Sequence, residues 1–186
     1  MTRHLSLLVV TLCVVSPTKA HASTEEKTPS SFFSERWALH TSASAALDNP
    51  AFAAAVGGRY QAGDWLFGVD AEYNPWASIP AKVVRPGALN LYATAIHRWD
   101  MRAESVKLRT SAHLGASILL FDLYGAPAGS VGPYLGLSLL GIEVEMTPGV
   151  HLIVDPADVA IPVPQLRGAP LTYRQYRATV GLQWGG

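Results

Sequence analysis

Tyr176-Arg177-Ala178-Thr179-Val180-Gly181-Leu182-Gln183-Trp184, close to the C-terminus, alternates apolar and polar side chains and ends on an aromatic residue. Successive side chains of a strand point to opposite faces, so this stretch predicts a β-strand with one apolar and one polar face. Similar alternating segments recur along the chain, and their apolar faces carry aromatic residues at the ends. This pattern is typical of a transmembrane β-barrel, which has lipid outside and polar side chains inside.

The first segment, Met1–Ala22, has the features of a secretory signal peptide that is cleaved after about Ala22. Arg3 and His4 give it a basic start, and the apolar run Leu5–Val15 is too short to span a bilayer as a helix. Cleavage would remove Cys13, the only cysteine, and would exclude disulfides and thiol chemistry from the mature chain.

The composition indicates one further domain without a nucleic-acid partner. Acidic and basic residues balance at 14 each, which gives no basic surface for a polyanion. The chain is 49% hydrophobic and only 15% charged, yet its apolar residues are not grouped into helix-length runs after the signal peptide. We therefore expect residues 23–36 to form a periplasmic N-terminal tail and residues 37–186 to form an outer-membrane β-barrel domain.

The alternation predicts an all-β fold, an eight-stranded antiparallel up-and-down transmembrane barrel with periplasmic termini. Short turns would lie in the periplasm, and the longer outer loops would be Pro75–Gly87, Asp122–Val131 and Gln165–Leu171. The predicted strands are Trp37–Leu47, Phe52–Gln61, Trp65–Asn74, Leu89–Trp99, Val106–Phe121, Pro133–Met146, Val150–Val159 and Thr172–Trp184.

Three strands deviate from simple alternation. In the fourth, Tyr92 and Ile96 fall on the face that should be polar, and in the seventh, Pro156 limits the hydrogen-bond ladder. The sixth changes phase midway, and one extra residue near Leu140-Gly141 would restore a single lipid face. We expect a β-bulge there.

Aromatic residues are predicted to form girdles at the two membrane interfaces, because amphipathic rings favour the headgroup level. The predicted periplasmic girdle is Trp37, Tyr60, Trp65, Trp99 and Trp184. Residues expected near the other interface are Phe52, Tyr73, Trp76, Tyr134 and Tyr173.

These features resemble the superfamily of small bacterial outer-membrane β-barrels, the OmpA-like and OmpX-like group of eight strands. The resemblance rests on the signal peptide, the alternating segments from Trp37 to Trp184, and the closing strand, which is similar to the C-terminal assembly signal of that group. It departs from that signal in one respect, because Gly185-Gly186 follow the aromatic residue. The resemblance implies a place in the cell outer membrane, contact with outer-membrane lipid, and recognition by the barrel-assembly machinery.

The polar faces of the strands predict a charge network inside the barrel. An eight-stranded barrel is only wide enough for side chains to fill, and unpaired buried charge is costly, so a paired plug is favoured over a narrow pore. Arg98 falls on the same inward faces. The members predicted for this lumen charge network are His40, Arg59, Asp70, Glu72, Lys107, Arg109, His113, Glu143, Glu145 and Arg177.

His40 and Ser42 stand two apart on one strand and therefore share a face. The pair resembles the His-Ser arrangement of the outer-membrane lipid A deacylases, although in that group the pair lies late in the chain and faces lipid. Two polar residues filling the lumen are the favoured interpretation, so we expect no catalytic residue. The scattered histidines predict no metal site, and no motif indicates a cofactor. Gly57-Gly58 is expected to relieve crowding within a strand.

The sequence thus predicts a monomeric, non-enzymatic outer-membrane protein with a structural or surface-interaction role and a closed, salt-bridged interior. A narrow passive pore for small solutes is the first alternative. A lipid A-modifying hydrolase that uses His40 and Ser42 is the second, and a secreted soluble β-sandwich is the third.

Overall fold

The computed structural model describes residues 36–47, 52–75, 87–101, 105–120, 122–123, 126–127, 129–170 and 174–185. Eight long strands account for most of them. They are β1 (Trp37–Ala46), β2 (Phe52–Ala62), β3 (Trp65–Asn74), β4 (Gly87–Asp100), β5 (Val106–Leu120), β6 (Gly129–Thr147), β7 (Val150–Pro162) and β8 (Gln175–Gly185). Within these ranges, no helix has the length and apolar character needed to cross a bilayer.

The eight strands close into an antiparallel barrel, as the sequence predicted. Each of β1 to β7 pairs with the next strand along the chain. β8 then pairs with β1, with Ala38 opposite Gly185, and this ladder closes the cylinder. Because the strand number is even, the first and last strands begin and end at the same end of the barrel.

Burial follows the alternation closely and is inverted relative to a soluble protein. In β3, Asp70 and Glu72 point inward and are buried, whereas Val69, next to Asp70, is 67% exposed. Leu114 in β5 is 65% exposed and Leu139 in β6 is 68% exposed. Large apolar side chains therefore cover the outside of the barrel, while charged side chains fill the inside.

The predicted bulge in β6 is confirmed. Leu139 and Leu140 both point outward, and the register with β5 and β7 shifts at this point. A second bulge lies beside it in β7, where Pro156 and Ala157 both point outward opposite Ala178 of β8. A bulge is one of the few places where a proline fits within a sheet, so β7 continues past Pro156 to Pro162 and is longer than predicted.

Two predicted loops contain regular structure. Gln165–Leu166 and Ala169–Pro170 form a short hairpin whose first strand pairs with residues 129–130 of β6. Its turn, Arg167-Gly168, has positive φ at both residues (51° and 80°), as the tightest hairpin turns require. Asp122–Leu123 pairs with Ala126–Pro127, and β6 already begins at Gly129, so the loop predicted over Asp122–Val131 is shorter than expected.

Several predictions lie outside the described residues. They are the signal peptide, residues 23–35 of the tail, and most of the loop Pro75–Gly87. Trp76 and Tyr173 of the second girdle lie outside them as well.

Candidate functional site

One end of the barrel carries a ring of outward aromatic side chains, which we call the tryptophan end: Trp37, Tyr60, Trp65, Trp99 and Trp184. The Trp37 and Tyr60 rings lie 5.1 Å apart on neighbouring strands. The His97 ring stacks between Trp65 and Trp99, with centroid distances of 4.7 Å and 4.6 Å. The structure thus brings the predicted members of the first girdle to one end. Tyr134 of the predicted second girdle is instead fully buried inside the barrel.

The barrel interior contains a dense set of ionic side chains, which we call the lumen network. Arginines from β2, β4, β5 and β8 face carboxylates from β3, β6 and β7, and all nine residues are buried. The members are Arg59, Arg98, Arg109, Arg177, Asp70, Glu72, Glu143, Asp155 and Asp158. Carboxylates thus outnumber arginines by five to four among these members, whereas the faces predicted to point inward carry five cations and four anions.

Asp70 is the centre of the first group of contacts. Its carboxylate lies 2.8 Å from Arg59 Nη2 and accepts a hydrogen bond of 2.6 Å from the Thr94 hydroxyl. The Nδ1 atom of His40 lies 3.4 Å from the same carboxylate. Gly57 makes room for this group, because a Cβ there would collide with Asp70 Oδ1 and with the Val69 carbonyl oxygen.

Arg177 is the centre of the second group. Its guanidinium donates to Glu72 at 2.9 Å and to Asp158 at 2.6 Å and 2.9 Å. It also donates to the Tyr134 hydroxyl at 3.1 Å, and the Tyr92 hydroxyl donates to Glu72 at 3.2 Å. Contacts from five strands therefore converge here, and charge-assisted bonds of this kind are the strong ones.

A third group lies among β4, β5, β6 and β7. Arg98 Nη1 lies 3.2 Å from Glu143, and His151 Nδ1 lies 3.4 Å from the same carboxylate oxygen. Arg109 Nε lies 3.5 Å from Asp155. Gly141 lies between these partners, and a Cβ there would collide with Asp155 and Arg109.

Apolar contacts complete the filling of the interior. The rings of Tyr92 and Tyr134 stack at 4.7 Å with an interplanar angle of 9°, and the His113 ring meets Tyr92 edge-on at 5.2 Å. Leu66 of β3 and Ile96 of β4 are also fully buried, so the face of β4 that carries Tyr92 and Ile96 does point inward. The cavity left among the central charged residues measures about 30 Å³. That volume holds one or two waters.

The structure brings most of the predicted network together inside the barrel: His40, Arg59, Asp70, Glu72, Arg109, His113, Glu143 and Arg177. The inclusion of Lys107 and Glu145 was wrong. Lys107 is half-exposed and lies 3.4 Å from the exposed Asp100, and Glu145 is exposed. Both residues lie at the tryptophan end, where the strands extend past the enclosed part of the lumen.

Sequence reasoning missed Asp155 and Asp158, two of the five network carboxylates. They are three residues apart, so simple alternation would place them on opposite faces. The bulge at Pro156–Ala157 supplies the extra residue that turns both inward. A change in the phase of alternation between Asp155 and Asp158 could have identified them. His151 and Ile153 share a face with Asp155 before this change, and Ala160 shares a face with Asp158 after it.

The surroundings of His40 do not favour a hydrolytic site. Its Nδ1 lies 3.0 Å from Arg59 Nη2 and faces Asp70, so this nitrogen is engaged by the ionic network. Ser42 is half-buried beside the same small cavity, which is too small for a lipid substrate. Among the described residues, no cluster of three or more His, Cys, Asp or Glu side chains is arranged to hold a metal ion.

Comparison with known proteins supports the fold. No protein-family model matches the chain, and no curated protein matches it in sequence. The crystal structure of Neisserial surface protein A is similar with a TM-score of 0.65 and 19% identity, over 82% of this chain and 98% of that one. The N-terminal β-barrel domain of Pseudomonas aeruginosa OprF is similar with a TM-score of 0.52 and 10% identity, over 81% and 96%. The OmpA-like and OmpX-like architecture expected from the sequence is thus confirmed at the level of the fold.

Proposed function

We propose that this protein is a monomeric outer-membrane β-barrel with a structural or surface-interaction role and a closed interior. The observation that carries the proposal is the inverted burial: exposed Val69, Leu114 and Leu139 surround buried Asp70 and Glu143. A soluble barrel would expose these apolar side chains to water, whereas a bilayer solvates them.

The closed interior argues against a solute pore. Ion pairs of 2.6–3.2 Å fill the interior: Arg177 of β8 reaches Glu72 of β3, and Arg98 of β4 reaches Glu143 of β6. Arg59 and Arg177 also pair with carboxylates on neighbouring strands. A permeant solute would have to displace paired charges, and leaving such a charge buried and unpaired costs several kcal/mol (about 3–5). The interior therefore supports a stabilising plug, and any interaction with other molecules is assigned to the outer surface and the loops.

Insertion into the membrane would use the closing strand. β8 presents Tyr176, Val180 and Trp184 outward, with Leu182 half-buried on the same face. We assign this strand the part of the assembly signal that the barrel-insertion machinery recognises, in keeping with the resemblance of its sequence.

The proposal is tested by fractionation and electrophoresis of the full chain. We expect the protein in the outer-membrane fraction, with a mobility that changes on boiling because the folded barrel resists detergent at room temperature. In planar bilayers, the folded protein should give no stable single-channel openings. A chain found only in the aqueous fraction would refute the membrane assignment, and steady ion conductance would refute the closed interior.

A further inference from the structure

A pocket of about 390 Å³ lies at the tryptophan end, beside the last residues of β2. It is lined by Arg36, Tyr60 and Gln61, together with the turn residues Ala62 and Gly63. The Arg36 guanidinium donates to the Tyr60 hydroxyl at 3.4 Å. The pocket thus offers a guanidinium, a phenol hydroxyl and a side-chain amide, all at the level of the aromatic girdle.

Arg36 is held in place but lacks an acidic partner among the described residues. The backbone N–H of Gln61 donates to the backbone carbonyl oxygen of Arg36 at 2.8 Å, and this bond fixes the backbone of Arg36 against β2. Each of the four lumen arginines lies within 3.5 Å of a carboxylate. A guanidinium that is exposed and has no carboxylate partner within the described part of the chain can bind an anion, and its planar donors match the oxygens of a phosphate.

An apolar groove lies on the outside of the barrel, along the same strand whose last residues line this pocket. Along the outward face of β2, Tyr60 is followed by Gly58 and then Val56. The missing side chain at Gly58 opens a groove of about 540 Å³ across β2, β3 and β4. Its outward lining consists of Val56, Gly58, Val69, Ala71, Leu91 and Ala93.

We propose that the pocket and the groove together bind one phospholipid, with its phosphate at Arg36 and Tyr60 and one acyl chain along Gly58. The inference rests on the proposed function, because it needs the barrel to stand in a bilayer with the tryptophan end at an interface. The positive charge of Arg36 complements the negative charge of a phosphodiester. The groove runs along the apolar outer face of the barrel, in the direction that an acyl chain takes from the headgroup into the bilayer. Neither a free anion nor a second barrel would use both features.

The test is native mass spectrometry of the refolded full chain in neutral detergent, titrated with dioleoylphosphatidylglycerol. R36Q removes the charge, and G58L fills the groove; no atom lies within 4 Å of a Cβ at this position, so G58L is compatible with the fold. R174Q is the matched control, since Arg174 is an exposed arginine that also lies over a tyrosine, 5.4 Å from the Tyr176 ring. We expect R36Q to weaken lipid binding about tenfold, the size of one lost charge-assisted contact. G58L should weaken it to a similar extent by occupying the groove, and R174Q should leave it unchanged.

Dioleoylglycerol, which has the chains without the phosphate, and inorganic phosphate are the competing ligands. Neither should displace the phospholipid at equal concentration. Wild-type binding by both R36Q and G58L, an equal loss in R174Q, or displacement by either competitor would overturn the assignment. The boiling-dependent mobility shift is recorded for every variant. Its absence in the wild type would reject the barrel itself, whereas a folded barrel without selective binding would reject only the lipid site.

Discussion

Arg177 donates four hydrogen bonds within the lumen network. It joins Glu72 of β3, Asp158 of β7 and Tyr134 of β6, although it belongs to β8. A buried ion pair often contributes little net stability relative to an apolar replacement of the whole group, yet the loss of one partner leaves the others buried and unpaired. The stability of this interior therefore depends on keeping the group complete.

Replacing Arg177 with methionine should consequently destabilise the barrel by about 3–5 kcal/mol, because Glu72 and Asp158 both lose their cation. Urea unfolding of the protein refolded in phospholipid vesicles measures the change. Lys107→Met is the matched control: its pair with Asp100 is exposed, so we expect a change of less than about 1 kcal/mol. Similar midpoints for the two variants would show that the interior does not depend on this arginine.

Two adjacent glycines show how much a residue's role depends on its face. Gly57 and Gly58 were both expected to relieve crowding. The structure supports this for Gly57, which points inward against Asp70, whereas a Cβ at Gly58 would have no neighbour within 4 Å. The sequence alone placed both in one strand but carried no information about the size of the side chains facing each of them.

The alternation of side chains predicts the bounds of a strand well wherever no extra residue changes its phase. β3 and β5 follow their predicted bounds to within one residue, because each keeps a single phase throughout. In β6 the phase change fell among leucines and could be recognised as a bulge. In β7 it coincided with Pro156, which equally marks the end of a strand, so Asp155 and Asp158 were lost from the predicted site.

The two bulges belong together because they lie side by side in paired strands. Leu139–Leu140 adds one residue to β6 relative to β5, and Pro156–Ala157 adds one to β7 relative to β8. Between β6 and β7, the residues from Ser138 to Ile142 and from Asp158 to Val154 match in number. Each extra residue thus compensates for the other in the ladder that the two strands share.

Deleting the extra residue of one bulge should therefore destabilise the barrel more when the extra residue of the other bulge is still present. Deletion of Leu140 or of Ala157 alone shifts β6 against β7 by one residue, and register errors of this kind are strongly disfavoured where one face is buried. The double deletion restores matched ladders on all sides and keeps every inward residue inward. We expect its loss of stability to be smaller than the sum of the single deletions, by about 0.5–3 kcal/mol in urea unfolding. Strictly additive losses would mean that the bulges act independently.

At the scale of the whole molecule, the two ends of the barrel differ in their connections. At the tryptophan end, β2–β3 and β6–β7 are joined by tight turns at Gly63 and Gly149, whose φ values are 64° and 75°. The opposite end carries the hairpin Gln165–Pro170 and the long connection from β3 to β4. Outer-membrane barrels have short periplasmic turns and longer extracellular loops. We therefore expect the tryptophan end, where β1 begins and β8 ends, to face the periplasm.

This orientation can be measured because Cys13 is the only cysteine in the sequence and belongs to the segment expected to be cleaved. Ala169→Cys places a thiol on the hairpin, and Thr147→Cys places one at the tryptophan end; both positions are exposed and neither has positive φ. A membrane-impermeant maleimide should label Ala169→Cys in intact cells and Thr147→Cys only after the outer membrane is opened. Labelling of Thr147→Cys in intact cells would reverse the orientation and would move the proposed lipid pocket to the outer leaflet.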